Sequence, residues 1–209
     1  LIRNGNETSV GRYPYMVHDN DWRCGGSCYR CGGSLIADNA VLTTARCAGY
    51  EFSVVRVGAH EIAGRALATA GVEKVVKHPE YIGWEENREN NIAVLILDQR
   101  IEGIRPVCMA DPTLDITSGE ELHVLGWGIQ EWRGDYKSVI EKLDTKDKKE
   151  YNGEYSDVLR EAGVSYITND KCSDRHKYID VDTYMCTEGK GLCWGDWGGP
   201  LIAKGADAA

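Results

Sequence analysis

Gly195-Asp196-Trp197-Gly198-Gly199-Pro200-Leu201 is the most informative stretch of this 209-residue chain. Two other short stretches are considered together with it: Val41-Leu42-Thr43-Thr44-Ala45-Arg46-Cys47 and Asn90-Asn91-Ile92-Ala93-Val94-Leu95. The guanidinium of Arg46 stays protonated at physiological pH, so it donates hydrogen bonds but cannot accept a proton. The indole of Trp197 likewise offers only an N–H donor. Neither side chain can act as a general base or as a nucleophile.

These three stretches resemble the catalytic motifs of the chymotrypsin/trypsin-like serine proteases (peptidase S1). Trp197 stands where the family's Gly-Asp-Ser-Gly-Gly-Pro carries the nucleophilic serine. Arg46 matches the general-base histidine of Val-Leu-Thr-Ala-Ala-His-Cys, and Asn91 matches the buried aspartate of Asn-Asp-Ile-Ala-Leu-Leu. Because the three triad groups act as a unit, the resemblance implies that this chain is not an enzyme. We also expect the Trp197 ring to block the oxyanion region.

The resemblance implies roles for three further positions. Ile2 matches the residue whose amine is freed on activation in active relatives and pairs with the aspartate before the serine, here Asp196. Leu1 still precedes Ile2, so a zymogen-type state of this pair is expected. Gly191 stands at the base of the specificity pocket, where trypsin-like enzymes carry an acidic residue. With glycine in place of the acidic residue, the pocket has no electrostatic reason to prefer Lys or Arg substrates.

Short β-branched or alternating stretches, separated by Gly, Asp, Asn and Pro, indicate an all-β fold. These stretches cover residues 52–57, 72–76, 92–97, 122–125 and 164–167. The resemblance runs from Ile2 to Leu201 and implies two antiparallel Greek-key β-barrels in a single domain, residues 1–209. The first barrel is expected at about 14–112 and the second at about 113–209. Relatives continue for another strand pair and a helix, so the second barrel is expected to be C-terminally incomplete.

Eight cysteines in a chain of this size favour an oxidising compartment, and hence a secreted or lumenal protein. The resemblance implies two disulfides, Cys31–Cys47 around the Arg46 turn and Cys172–Cys186. Cys193 lacks the downstream partner that it has in relatives, and Cys108 has no obvious mate.

Cys24, Cys28 and Cys31 form a C-x₃-C-x₂-C run with two interpretations. Thiolates at this spacing hold an iron–sulfur cluster in radical enzymes. The favoured interpretation is a local Cys24–Cys28 disulfide in a surface loop, because no strand–helix alternation indicates a radical-enzyme barrel. The five histidines show no close ligand spacing. We therefore expect neither a metal nor a cofactor.

The net charge of −9 argues against nucleic acid or an anionic membrane surface as a partner. No apolar run approaches the roughly 18 residues that would span a bilayer, so membrane insertion is not expected.

Relative to the family, residues 131–155 are an insertion rich in Lys, Asp and Glu. This segment is either a solvated loop or a short helix that docks a partner. Asn6-Glu7-Thr8 is an N-glycosylation sequon.

The leading hypothesis is a non-catalytic serine-protease homologue that binds another protein through its blocked cleft and the 131–155 insertion. One alternative is an accessory structural subunit of a larger extracellular or lumenal assembly. A further alternative is a residual serine-type endopeptidase that uses an unrecognised nucleophile near Arg46 or Trp197.

Overall fold

Antiparallel strands dominate the computed structural model, which describes residues 2, 5–19, 31–49, 53–83, 89–111, 113–132, 153–175, 184–189 and 195–203. Its elements are β1 (Asn6–Glu7), β2 (Met16–Asp19), β3 (Gly32–Ala37), β4 (Ala40–Thr43), β5 (Val54–Val57), β6 (Ala68–Lys77), β7 (Ala93–Leu97), β8 (Glu121–Gly126), β9 (Ile129–Trp132), β10 (Gly153–Tyr155), β11 (Arg160–Ile167), α1 (Asn169–Arg175), β12 (Cys186–Gly189) and β13 (Leu201–Ala203). A 3₁₀ turn, Cys47–Gly49, follows β4.

The first half of the chain forms a closed six-stranded barrel in the order β2-β3-β4-β7-β6-β5, and β5 pairs with β2 to close it. Strand β7 shows why these residues form a barrel wall. Ala93, Leu95 and Leu97 are buried, whereas the alternating Val94 and Ile96 are half-buried. Successive side chains of a strand point to opposite faces, so the first set fills the barrel interior.

The second half forms an antiparallel sheet in the order β1-β11-β8-β13, with β12 also pairing with β11. The N-terminal strand β1 joins this second sheet rather than the first barrel, because Asn6 lies opposite Glu161 and Glu7 opposite Arg160. Within the residues that the structure describes, these five strands form an open sheet. Strands β9 and β10 form a separate two-stranded sheet.

The two halves share one hydrophobic core. Its buried residues include Leu35 and Leu95 from the first barrel together with Leu125 and Ile202 from the second sheet. Burying an aliphatic side chain of this size contributes about 1.5–3 kcal/mol, so this shared core holds the two halves together. A second cluster, built on β8 and β11, encloses Ile2.

Trp127 connects the halves directly and is buried. Its Nε1 donates a hydrogen bond to the carbonyl oxygen of His60 at 3.0 Å, and its ring packs edge-on against the His18 ring at 5.2 Å. A buried tryptophan with its N–H satisfied is a stable anchor. The segment that follows Trp127 is therefore fixed relative to the first barrel.

Each of the five predicted strand stretches overlaps a strand, namely β5, β6, β7, β8 or β11, and residue 52 lies outside the described residues. The all-β prediction is also confirmed, since helix in the described ranges is limited to α1 and the 3₁₀ turn. Neither is long and apolar enough to cross a membrane.

Candidate functional site

The loop that contains Trp197 is attached to the start of β3. The backbone N–H of Gly32 donates to the carbonyl oxygen of Trp197 at 2.7 Å, and Trp197 forms a parallel bridge with Cys31. Gly198 adopts a φ of +81°, which favours glycine. A Cβ at Gly198 would also overlap the carbonyl oxygen of Gly32 and Oγ1 of Thr43. Glycine at position 198 therefore permits the backbone of the Trp197 loop to approach the backbone of Gly32 closely.

Asp196 is buried beside the glycines that follow β8. Its Oδ1 accepts a hydrogen bond from the backbone N–H of Gly128 at 2.8 Å. A Cβ at Gly126 or Gly128 would collide with the carboxylate, so both glycines make room for it. Ile2 has its side chain in the second core cluster. The zymogen-type state of Ile2 and Asp196 stays a prediction.

Arg46 lies on a short turn that several contacts fix. Cys47 N donates to Oγ1 of Thr44 at 3.2 Å, and Gly49 N donates to the carbonyl oxygen of Arg46 at 3.0 Å. The implied disulfide Cys31–Cys47 is present, with 5.9 Å between the Cα atoms. The disulfide ties the Arg46 turn to the same end of β3 that holds Trp197. One scaffold thus positions both side chains.

The Arg46 and Trp197 side chains stack on each other. The guanidinium carbon of Arg46 lies 3.8 Å from the centroid of the Trp197 ring. A guanidinium over an indole face is a cation–π contact, which contributes about 0.5–1 kcal/mol when exposed and about 2 kcal/mol when desolvated. Both residues are half-buried. The positions that match the general base and the nucleophile are therefore occupied by a stacked pair.

Asn91 holds the backbone beneath this pair. Its Oδ1 accepts a hydrogen bond from the backbone N–H of Arg46 at 2.9 Å. A tight turn aims the amide: Ile92 N donates to the carbonyl oxygen of Asn90 at 2.8 Å, and Asn90 has a φ of +55°. Asparagine tolerates this left-handed conformation better than most residues. Asn91 thus braces the backbone of the Arg46 turn.

The structure therefore brings together all three positions that the sequence analysis singled out. The side chains at two of them, the guanidinium of Arg46 and the indole of Trp197, present hydrogen-bond donors and a flat aromatic surface. The Asn91 amide neither ionises nor removes protons at neutral pH. Such a group of side chains can bind, but it contains no proton acceptor matched to a nucleophile. The expected blockage of the oxyanion region by Trp197 stays a prediction.

Sequence reasoning missed Tyr155, which lies at the end of the insertion and packs against the Trp197 loop. A Cβ at Gly195, where φ is +95°, would come within 2.7 Å of Cε1 of the Tyr155 ring. The two ends of the insertion pair as β9 and β10, with Trp132 opposite Gly153. An insertion has no counterpart in the family pattern, so no motif could have predicted this contact. The contact of Tyr155 with Gly195 places the base of the insertion next to the candidate site.

The remaining site predictions have mixed outcomes. The second implied disulfide, Cys172–Cys186, is present and ties α1 to β12, with 6.0 Å between the Cα atoms. Cys108 is free and exposed among the described cysteines. Because Cys31 pairs with Cys47, it cannot supply a third thiolate, and the iron–sulfur interpretation is wrong. Predictions on Cys24, Cys28, Cys193, Gly191 and residues 133–152 lie outside the described residues.

The closed barrel, the antiparallel second sheet and the site held between them define a protein of the chymotrypsin-like fold class. The family model described as Trypsin matches residues 2–208, and the chain belongs to this family.

Among curated proteins, the chain is similar to phenoloxidase-activating factors 3 and 1 of Holotrichia diomphalia. The identities are 28% and 29%, over 97% and 99% of this chain and 60% and 59% of theirs. The chain thus spans about three fifths of the length of these relatives. Granzyme C of Mus musculus is 30% identical, over 71% of this chain and 61% of its own length.

Two solved structures share the fold over nearly the whole chain. The structure described as "Neuropsin, a serine protease expressed in the limbic system of mouse brain" matches with a TM-score of 0.77 and 22% identity, over 97% of this chain and 82% of its own. The structure described as "Structure of GrC" matches with a TM-score of 0.73 and 27% identity, over 98% of this chain and 85% of its own.

Proposed function

We propose that this chain is a non-catalytic member of the trypsin family that binds another protein and acts as a regulatory or inhibitory module. The observation that carries the proposal is the Arg46 guanidinium 3.8 Å from the Trp197 ring, where a base and a nucleophile would have to meet. A permanently protonated group cannot accept the proton of an attacking hydroxyl. An indole supplies no attacking atom for acyl transfer.

The backbone around Arg46 and Trp197 is tightly held. The left-handed Gly198, the buried Asp196 and the Cys31–Cys47 disulfide all hold the loop and the turn in place. Rigid presentation of a surface reduces the entropy that binding must overcome. A framework of this kind suits recognition of a partner as well as it suits catalysis.

The proposed binding surface consists of the stacked Arg46 and Trp197 side chains together with the base of the insertion at Tyr155. The contact of Tyr155 with Gly195 joins β10 to the Trp197 loop, so a partner that covers one also reaches the other. Aromatic and arginine side chains are the residues that most often dominate binding energy at protein interfaces. Arg46, Trp197 and Tyr155 are therefore proposed as the central contacts.

The disulfides support the proposed compartment. Two bridges in the described residues require oxidising conditions, which favours a secreted or lumenal protein. The two insect relatives are named phenoloxidase-activating factors. The proposed partner is a protein that is also secreted or lumenal.

Replacing both stacked residues with alanine, Arg46→Ala with Trp197→Ala, is expected to abolish specific capture of the partner from native extracellular fluid. The change removes the aromatic face and the cation together, and losing such contacts typically costs 2 kcal/mol or more, about 30-fold in affinity. Capture is measured by quantitative mass spectrometry against the unaltered chain, after circular dichroism has shown that both are folded.

Arg100→Ala is the matched control for this experiment. Arg100 is an exposed arginine that pairs with Asp38, and this pair lies at the end of β4 opposite the Arg46 turn. The control should capture the same proteins as the unaltered chain. If the double variant retains those proteins, or if the control loses them equally, the cleft is not the binding surface. A native mass that always includes a fixed second subunit would instead favour the accessory-subunit alternative.

A further inference from the structure

The sequon Asn6-Glu7-Thr8 has an unusual setting, because its two ends lie in different environments. Asn6 and Glu7 form β1 and are exposed. Thr8 is buried, and its Oγ1 donates to the carbonyl oxygen of Leu159 at 3.3 Å. Its backbone N–H donates to the same carbonyl oxygen at 3.0 Å. The acceptor amide thus faces solvent while the hydroxyl that defines the sequon is part of the fold.

We propose that Asn6 carries an N-linked glycan and that folding closes this site to glycosylation. Nδ2 of Asn6 attacks the anomeric carbon of a lipid-diphosphate-linked oligosaccharide. The bond between that carbon and the phosphate oxygen breaks, an N-glycosidic bond forms, the amide loses a proton and the lipid diphosphate leaves. The sequon is the acceptor pattern for this transfer in secreted proteins.

The hydroxyl of the third sequon residue must be presented to the transferase together with the asparagine. In the folded chain this presentation would break both hydrogen bonds between Thr8 and Leu159. It would also separate β1 from β11, where Asn6 pairs with Glu161. Exposing a buried hydroxyl and undoing strand pairs costs free energy. Transfer therefore has to precede the docking of β1.

The folded chain accommodates the product without rearrangement. The Asn6 side chain is exposed, and β1 is the outermost strand on its side of the described sheet. Edge strands offer unpaired backbone groups to other chains, and natural proteins commonly cover them. A glycan on Asn6 would cover this edge while leaving the buried Thr8 contacts unchanged.

The first test is expression behind a cleavable secretion signal in insect or mammalian cells. Peptide mapping by mass spectrometry should find a glycan on Asn6 in the unaltered chain and in Thr8→Ser, which keeps both the sequon and a hydroxyl. Asn6→Gln should lack it while remaining secreted and folded, because Asn6 is exposed. An unmodified Asn6 in the secreted, unaltered chain would overturn the proposal.

The second test separates closure by folding from simple occupancy. The unglycosylated chain is offered to microsomal oligosaccharyltransferase with its lipid-linked oligosaccharide, once in the folded state and once reduced and alkylated. At least tenfold more modification of Asn6 is expected in the unfolded chain. Equal modification of both forms would show that folding does not close the site, and no modification of the unfolded chain would show that Asn6 is no acceptor.

Discussion

Gly198→Ala is expected to lower the free energy of unfolding by about 2–5 kcal/mol. The left-handed backbone at Gly198 costs a non-glycine residue about 1–2 kcal/mol, and overpacking adds about 1–3 kcal/mol. The overpacking arises because a Cβ at Gly198 would overlap the carbonyl oxygen of Gly32 and Oγ1 of Thr43. Neither atom is at the free end of a flexible side chain, so the loop itself must move. Urea denaturation followed by circular dichroism measures the change.

Gly119→Ala separates the two contributions. Gly119 has a φ of +88°, close to that of Gly198, but nothing lies within 4 Å of a Cβ built on it. In this variant the free energy of unfolding should fall only by the cost of the left-handed backbone, about 1–2 kcal/mol. Equal losses at the two positions would mean that the loop below Trp197 is not held against β3 as described.

Replacing both cysteines of the Cys31–Cys47 disulfide with alanine is expected to cost about 3 kcal/mol, the value typical of a loop of this length. The sequence separation is 16 residues, against 14 for Cys172–Cys186. Removal of either disulfide should therefore lower stability by a similar amount. The two double variants differ in position, because Cys31–Cys47 spans the candidate site whereas Cys172–Cys186 joins α1 to β12.

This difference gives the pair of variants a second readout. Loss of Cys31–Cys47 frees the Arg46 turn from β3 and should reduce partner capture, measured under conditions in which both variants are folded. Loss of Cys172–Cys186 should leave capture unchanged. If both variants capture the partner equally well, the disulfide at the cleft is purely a stabilising link.

Linear motifs were sufficient to predict the positions that meet in the site. Arg46, Asn91 and Trp197 each lie in a short stretch that resembles a family motif, and the structure brings the three together. The stacking of Arg46 on Trp197 was not predicted, because a motif match gives the position of a residue but not the orientation of its side chain.

Other features depend on three-dimensional packing that no local pattern encodes. The pairing of β1 with β11 joins residues about 150 positions apart. Tyr155 reaches Gly195 only because β9 and β10 pair across the insertion. The C-x₃-C-x₂-C spacing by itself left an iron–sulfur site open as the less favoured interpretation, and the Cys31–Cys47 disulfide excludes it. Spacing alone cannot decide which thiols meet.

We propose that no catalytic machinery remains at this site, so supplying a serine alone should restore no activity. In a serine protease, loss of the histidine base alone costs about 10⁶-fold in turnover, even though the serine is present. The most direct test is labelling of Trp197→Ser by a fluorophosphonate probe, with an active trypsin as the positive control. Trypsin should be labelled, and the variant should carry no label at position 197. A label on the introduced serine would show that a working base or an equivalent activating group remains at the site.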